Sequence, residues 1–339
     1  MSIDPAELRE RLANYLRNKT GYPHASVHDL TPLPGHAGIS YRFIHEPHGG
    51  GKSGAERLVL RLAPAGAPAA GPNDVVRQAR IIAAIGAAAP IAVAPIRWYD
   101  NDSRWFGAPF FIADFVDGEK PVLGDRVFEP AEMRQCARSA IEAMAALHRL
   151  DWRAYARVFG EQATPSGELD RLARLLDRPT LDQTLIRRAP ALGARLAASI
   201  PARIRLGCVH GDFNWSNCLF RDGELAALID WELAQIGAVM LDLGWICLFS
   251  DRLSWTTGDL TPACGPEPEE LAAMYEECTQ TAIYPTGLRW FRAFSGYRFG
   301  AITAFNLMLH RRGKRHDPMW ETIAESAPRL FERGLELIG

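Results

Sequence analysis

The chain has 339 residues, of which 47 % are hydrophobic and 23 % charged, with a formal net charge of −2. This is the composition of a globular protein long enough for about two domains, and it argues against disorder. The near-neutral charge lacks the basic footprint of a nucleic-acid-binding protein. The charged, amphipathic start is unlike a signal peptide, and Gly86, Pro90 and Pro95 interrupt the longest nearly uncharged stretch. We therefore expect neither a nucleic-acid partner nor a membrane partner.

The cysteine pattern predicts reduced, structural thiols in a cytoplasmic protein. No two cysteines form a C-x2-C pair, and no pair of histidines lies near them at metal-ligand spacing, which argues against a zinc site. The six are Cys136, Cys208, Cys218, Cys247, Cys264 and Cys278.

Two regions of different character make up the chain, and we predict domains at residues 1–118 and 119–339. The first begins with a helix at roughly Pro5–Asn18. It continues with β-like runs separated by Gly and Pro, and the predicted order is three strands, one helix and two strands. The second region is mainly helical and is interrupted once, by two short β-like runs joined at an Asp222–Gly223 turn.

The densest polar constellation is the loop His210–Asn217, which lies between two apolar runs. Asp230 follows Asn217 by 13 residues, at the end of a second apolar run. A carboxylate after a short strand, beside a loop holding Asp and Asn, gathers the hard oxygen ligands that Mg²⁺ prefers together with substrate phosphates. Phosphoryl transfer also needs a base positioned for the incoming hydroxyl group.

The H-G-D-x4-N pattern, followed by I-D-W-E, resembles the catalytic and metal loops of the aminoglycoside phosphotransferase and choline kinase superfamily. That superfamily shares the protein-kinase fold. Gly211 replaces the arginine of protein kinases and no A-P-E segment follows, so a small-molecule kinase fits better than a protein kinase. The runs ALHRLDW, LDLGWI and FRAFSGYRFGAITAFNLML look most like bacterial phosphotransferases and the kinase-like domain fused to some acyl-CoA dehydrogenases.

The resemblance implies an α+β, protein-kinase-like fold with two lobes. Residues 1–118 would form a small nucleotide-binding lobe with an antiparallel sheet. Residues 119–339 would form a larger helical lobe with the catalytic loop, the metal loop and the substrate site. The implied activity is transfer of the γ-phosphoryl group of ATP, with Mg²⁺, to a hydroxyl group of a small-molecule alcohol.

Roles transfer residue by residue from this resemblance. Asp212 would accept or orient the proton of the substrate hydroxyl, and Asn217 and Asp230 would bind Mg²⁺. His210 is expected to brace the catalytic loop by hydrogen bonding. Asp242 is expected to act as a loop brace or a helix N-cap rather than as a metal ligand. His148 is expected to be a packed histidine at a helix end.

The nucleotide lobe departs from the protein-kinase pattern at one position. Arg61 occupies the third-strand position where protein kinases place a lysine, and arginine can contact phosphates as a planar fork. The expected glutamate partner is absent from the following helix, where Gln78 stands instead. Asp74, one turn earlier on the same face, is the alternative partner.

Two further segments match nucleotide-binding positions of the family. Gly35, Gly38 and Ser40 belong to a run in the place of the phosphate-covering loop. The run FFIADFVDG resembles the hinge, where backbone groups of Asp114 and Val116 would meet the adenine edge.

The acceptor is less constrained by the sequence. The helix at residues 289–305 is aromatic with interspersed arginines, which is typical of a core helix with solvated arginines. If those side chains instead faced the substrate, they would favour an apolar or anionic hydroxyl compound. The fused acyl-CoA dehydrogenase relatives point to a hydroxy-acid or hydroxyacyl compound. The alternatives are a catalytically silent nucleotide-binding pseudokinase, motivated by Arg61 and Gln78, and an aminoglycoside or macrolide kinase.

Overall fold

The chain forms two compact units in a computed structural model. The first unit comprises residues 1–117 together with 229–233, and the second comprises residues 118–228 together with 234–339. The segment Ile229–Leu233 thus belongs to the first unit, although it lies more than 100 residues beyond the end of that unit's main segment. The structure describes residues 4–33, 39–47, 54–64, 70–88, 91–124, 126–256 and 260–339.

The first unit combines one antiparallel sheet with two helices. Its strands and helices follow the predicted order of three strands, one helix and two strands after the N-terminal helix. The elements are α1 (Pro5–Thr20), β1 (Ser26–Leu33), β2 (Ile39–Glu46), β3 (Glu56–Leu62), α2 (Val75–Ala88), β4 (Ile96–Asp100) and β5 (Phe110–Asp114).

The five strands lie in the order β1-β2-β3-β5-β4, and all neighbours are antiparallel. The predicted hairpin of β2 and β3 is therefore confirmed, while its Gly-rich loop at residues 48–53 lies outside the described residues. In the register of the sheet, Arg61 on β3 lies opposite Ser40 on β2 and Phe111 on β5. This register brings two of the predicted nucleotide-binding residues next to each other.

Helix α1 starts and stops at residues suited to those places. The Asp4 carboxylate accepts the N–H groups of Ala6 and Glu7, and Gly21 ends the helix at a φ of 73°. The helix runs two residues beyond the predicted end at Asn18. Its apolar face packs on the sheet through Leu8, Leu12, Tyr15 and Leu16, against Phe43, Leu58 and Leu60.

The second unit is mainly helical, as predicted. Helices enclose its core, and four short strands carry the loop of interest. The elements are α3 (Pro130–Arg149), α4 (Trp152–Phe159), α5 (Pro165–Leu176), α6 (Ala189–Ala198), β6 (Leu206–Val209), β7 (Cys218–Arg221), β8 (Glu224–Leu228), β9 (Gln235–Ala238), α7 (Met240–Leu248), α8 (Pro268–Thr279), α9 (Pro285–Arg311), α10 (Met319–Ala324) and α11 (Ala327–Ile338).

The short strands form two antiparallel pairs rather than the one hairpin that the sequence predicted. Strands β7 and β8 pair through the predicted Asp222–Gly223 turn, whose residues have φ values of 53° and 81°. Strand β6 instead pairs with β9, a four-residue strand that the sequence did not predict. The loop His210–Asn217 therefore connects β6 of one strand pair to β7 of the other.

Helix α9 lies in the core of the second unit. The sequence prediction of a core helix is correct for its aromatic side chains, which pack with α5, α6 and α11. The expectation of solvated arginines is wrong for Arg292 and Arg298, which are only 6 % and 3 % exposed. Among the described residues, no helix has both the length and the apolar composition needed to cross a bilayer.

Candidate active site

The loop after β6 holds the Asp212 carboxylate by hydrogen bonds to both oxygens. Oδ1 accepts from Trp245 Nε1 at 2.8 Å and from Asn214 Nδ2 at 3.0 Å, and Oδ2 accepts from Asn217 Nδ2 at 2.8 Å. Phe213 and Trp215, the two aromatic side chains of the loop besides His210, are fully buried and anchor it in the unit. Asp212 and Asn217, which the sequence predicted as functional partners, are thus in direct contact.

The backbone before Asp212 is held as firmly as its side chain. Gly211 has a φ of 79°, a left-handed conformation that glycine adopts without steric cost. Its N–H donates to Asp242 Oδ1 at 2.8 Å, and its carbonyl accepts from Arg298 Nη1 at 2.7 Å. The N–H of His210 donates to Asp242 Oδ2 at 2.8 Å. Asp242 is therefore the loop brace that the sequence predicted.

Asp242 is itself completely buried and anchored by His148. His148 Nε2 lies 3.2 Å from Asp242 Oδ2, and its Nδ1 lies 2.8 Å from the hydroxyl of Tyr275. Burial by itself would raise the pKa of Asp242, but the hydrogen bond from His148 and those from the loop amides hold that pKa below its ordinary value. His148 is packed as predicted, and it also belongs to this polar chain.

Arg61 on β3 makes its ion pairs within the first unit. Its Nη2 donates to Asp230 Oδ1 at 3.1 Å and to Glu232 Oε2 at 3.2 Å, and its side chain is only 14 % exposed. Asp230 has a φ of 63°, a left-handed conformation that few residues other than glycine, asparagine and aspartate adopt. The structure thus brings together Arg61 and Asp230, two residues predicted separately for phosphate and metal.

Neither sequence candidate for the partner of Arg61 fills that role. The Asp74 carboxylate accepts the N–H of Arg77 at 2.9 Å, as a cap of helix α2. The side-chain amide of Gln78 donates to the Pro72 carbonyl at 2.8 Å. Both polar groups are committed to the start of α2, so the carboxylates near Arg61 come from a segment far along the chain.

The other nucleotide-binding predictions fall partly on the described residues. Gly35 and Gly38 lie outside them, whereas Ser40 is half-buried on β2. At the end of β5, the N–H of Asp114 donates to the Pro95 carbonyl at 2.9 Å. Only the carbonyl of Asp114 would therefore be available to an adenine. Val116 makes no backbone hydrogen bond to any described residue.

The six cysteines are free thiols, four of them buried. Burial raises the pKa of Cys136, Cys208 and Cys247 to about 12, so these thiols stay protonated. Among the described residues, no group of three or more His, Cys, Asp and Glu side chains is arranged to hold a metal ion.

A family profile decides the identification. The profile described as the phosphotransferase enzyme family matches residues 40–294, which include β2, β3, the loop at Asp212 and the segment at Asp230. The chain belongs to the phosphotransferase enzyme family.

Curated relatives of this phosphotransferase-family chain are larger proteins. It is 27 % identical over 265 residues to acyl-CoA dehydrogenase family member 10 of Mus musculus, covering 73 % of this chain and 24 % of the relative. It is 25 % identical over 316 residues to acyl-CoA dehydrogenase family member 11 of Gallus gallus, covering 84 % of this chain and 38 % of the relative. The chain thus spans well under half of their length.

Solved structures share the fold. A Ralstonia eutropha protein assigned as an aminoglycoside phosphotransferase aligns with a TM-score of 0.74 at 20 % identity, over 97 % of each chain. Macrolide 2′-phosphotransferase type I aligns with a TM-score of 0.64 at 17 % identity, over 97 % of this chain and 98 % of that one. A thermostable mutant of aminoglycoside phosphotransferase APH(4)-Ia, in complex with ADP and hygromycin B, aligns with a TM-score of 0.59 at 18 % identity, over 96 % and 97 %. The predicted α+β, protein-kinase-like fold is confirmed.

Sequence reasoning missed four residues that contact the predicted site residues or their loop: Asn214 and Trp245 at Asp212, Arg298 at Gly211, and Glu232 at Arg61. Two of them had a readable signal. Trp245 follows Asp242 by three residues, and the expectation that Asp242 caps a helix would have placed both on one face of that helix. Glu232 stands two residues after Asp230 in the I-D-W-E motif.

Proposed function

We propose that this chain is a small-molecule kinase that transfers the γ-phosphoryl group of ATP to a hydroxyl group. The observation that carries the proposal is the Asp212 carboxylate, oriented by hydrogen bonds from Trp245, Asn214 and Asn217. Asp212 would take the proton of the acceptor hydroxyl as that oxygen attacks the γ-phosphorus. A base held in one orientation is what this step requires, since most of the catalysis of phosphoryl transfer comes from positioning and electrostatics.

Arg61 and its surroundings support ATP as the donor. Arg61 is the cation of β3 nearest in register to Ser40, where β2 follows the predicted phosphate-covering loop. We assign phosphate contacts to Arg61, Ser40 and the loop residues Gly35 and Gly38. The adenine edge would be met by the Asp114 carbonyl and the backbone of Val116. The ADP in the APH(4)-Ia complex belongs to a protein of the same fold, which favours an adenine nucleotide here.

Asn217 and Asp230 offer the chemistry that Mg²⁺ requires. Carboxylate and amide oxygens are hard ligands, and Mg²⁺ usually takes one or two protein ligands together with phosphate oxygens. Asn217 Nδ2 is committed to Asp212, and no described residue donates a hydrogen bond to its Oδ1. That oxygen is therefore available to a cation. Bound Mg²⁺ would neutralise charge on the nucleotide phosphates.

For the acceptor, we propose a hydroxy-acid or hydroxyacyl compound. The support is the likeness to acyl-CoA dehydrogenase family members 10 and 11. The aromatic residues and arginines of α9 do not support this acceptor class, because most of them are buried in the core of the second unit. The antibiotic phosphotransferases of the same fold make an aminoglycoside or macrolide the second candidate. We also propose a cytoplasmic location, which the six free cysteines support.

The test is a panel of acceptors with Mg²⁺ and ATP, with ADP release and ³¹P NMR of the product as readouts. Hydroxy acids, their thioesters, simple alcohols, aminoglycosides and macrolides form the panel. A phosphate ester on a hydroxy acid or its thioester supports both parts of the proposal, whereas an antibiotic product overturns the acceptor class. Binding of Mg-ATP without turnover of any acceptor would identify a pseudokinase instead.

A further inference from the structure

Helix α7 contacts the catalytic loop at two points, and only one of them is a backbone brace. Asp242 accepts the N–H groups of His210 and Gly211. Three residues later on the same helix face, Trp245 donates its indole N–H to Asp212 Oδ1. The second contact is made to the Asp212 carboxylate itself, whereas a residue that only stabilised the loop could do so through the backbone.

The indole ring of Trp245 is locked against rotation. Phe249 and Phe299 pack on it, with ring centroids 5.6 Å and 5.9 Å from the indole. Gly244, next to Trp245, lies so close to α9 that a Cβ atom there would be 2.8 Å from the backbone of Phe291. The N–H of Trp245 therefore has one direction, and that direction is set by the packing of α7 on α9.

Arg298 lies over the face of the same indole. Its guanidinium carbon is 4.5 Å from the ring centroid, and its side chain is buried. No carboxylate lies within ion-pair distance of Arg298 among the described residues, and its Nε atom has no hydrogen-bond partner there. A buried cation without a paired carboxylate is costly for folding, and the more distant charges of Glu168, Asp212 and Asp242 offset only part of that cost. Its two clear contacts are the ring of Trp245 and the carbonyl of Gly211.

Arg298 strengthens the hydrogen bond that the Trp245 indole donates to Asp212. A cation over the π face draws electron density from the ring, which strengthens the N–H at the ring edge as a hydrogen-bond donor. Arg298 also fixes the Gly211 carbonyl, one residue before Asp212. The two contacts converge on the orientation of one carboxylate.

We propose that Trp245, supported by Arg298, is a positioning residue for the phosphoryl-transfer step. Its indole N–H holds Asp212 Oδ1 in place, so that the carboxylate meets the acceptor hydroxyl in one orientation. This inference rests on the proposed kinase function.

Trp245→Phe tests the role because it keeps an aromatic ring under Arg298 and removes the N–H. Trp255→Phe is the matched control. Trp255 packs on the same Phe249 and Phe299, but its indole N–H donates to the Leu248 carbonyl. A hydrogen bond to a charged group is expected to contribute about ten- to hundredfold. We expect Trp245→Phe to lower kcat by that factor with KM for ATP within about twofold, and Trp255→Phe to leave kcat unchanged.

A second measurement works whether or not Trp245→Phe folds. The chain has nine tryptophan indoles, whose N–H groups can be followed in a ¹H–¹⁵N spectrum. Asp212→Asn removes the charge of the group that accepts from Trp245, so one indole signal should shift strongly. The same signal should shift in Arg298→Lys. The positioning role would be overturned by equal kcat values in Trp245→Phe and Trp255→Phe. It would also be overturned if no indole signal shifted in Asp212→Asn. Neither result would contradict the kinase function. Absence of turnover by the wild-type protein would remove both.

Discussion

Arg61 and Glu232, 171 positions apart in the chain, are joined by an ion pair of 3.2 Å within one compact unit. Protein kinases place the carboxylate partner of the β3 cation on the helix after β3. Here that helix offers Gln78, which is bound to Pro72, and the carboxylates come from the Asp230–Glu232 segment instead. The anchoring of the proposed phosphate-binding cation has thus moved from the helix to the metal-loop segment.

Arg61→Ala is expected to weaken ATP binding by about tenfold or more. A charged contact to a phosphate contributes on the order of 1.5–3 kcal/mol, and the variant also leaves two carboxylates without their cation. Isothermal titration with Mg-ATP measures the change. Arg42→Ala, on the neighbouring strand β2 and exposed, is the control. An unchanged dissociation constant for Arg61→Ala would contradict the assignment of β3 as the phosphate strand.

Glu232→Gln should weaken ATP binding by only about threefold. Arg61 keeps its ion pair with Asp230, and glutamine still offers Arg61 an oxygen, so the change removes on the order of 0.5–1 kcal/mol. A double-mutant cycle checks the route of the effect. If Glu232 acts by orienting Arg61, Glu232→Gln should have no further effect in an Arg61→Ala background. Additive losses would mean that Glu232 acts on the nucleotide independently of Arg61.

How much the sequence could predict depended on distance along the chain. Asp212 and Asn217 lie in one loop with a recognisable spacing, so their contact was predictable. The partners of Arg61 are 169 and 171 positions away, and local patterns carry no information on such pairs. Strand β9 was missed because four residues, two of them Gly and Ala, give little strand signal. The burial of Arg298 was missed because charged side chains are normally solvated.

Asp230→Asn should abolish most of the dependence of ATP binding on Mg²⁺. Asparagine tolerates the left-handed conformation at this position, so the change tests charge rather than backbone strain. Asp222→Asn is a matched control, since Asp222 has a similar φ of 53° in the β7–β8 turn. ATP titrations with and without Mg²⁺ measure the effect. Equal affinity of the wild-type protein in both conditions would contradict the metal assignment.

Asp242→Asn should destabilise the protein by about 1–3 kcal/mol at pH 7, the cost of leaving a buried hydrogen-bond donor without an acceptor. Its amide would turn one donor toward a backbone N–H that now donates to a carboxylate oxygen. Because the folded protein holds the pKa of Asp242 below the value in the unfolded chain, about 3.9, its stabilising contribution is present above that pH. It is lost as the pH falls further, toward the folded pKa. Chemical denaturation from pH 7 to pH 3 should show the difference from wild type narrowing below about pH 4, and a constant difference would contradict this.

Asp212→Asn should keep the fold and the affinity for Mg-ATP but lower kcat by about 10²–10⁴-fold, the usual contribution of a general base. An asparagine oxygen at the Oδ1 position can still accept from Trp245 and Asn214. Its amide would then face Asn217 Nδ2, which costs the loop one side-chain hydrogen bond, while Asn217 keeps its bond to the Asp212 carbonyl and its Oδ1 stays available to Mg²⁺. The change therefore removes the proton acceptor with little cost in packing, and Asp222→Asn serves again as the control.

If Asp212 had only a structural role, Asp212→Asn would instead lower the melting temperature and leave the turnover of the folded fraction normal. Measuring kcat and melting temperature on the same purified variant decides between the two, and full turnover in a stable Asp212→Asn protein would refute the proposed mechanism.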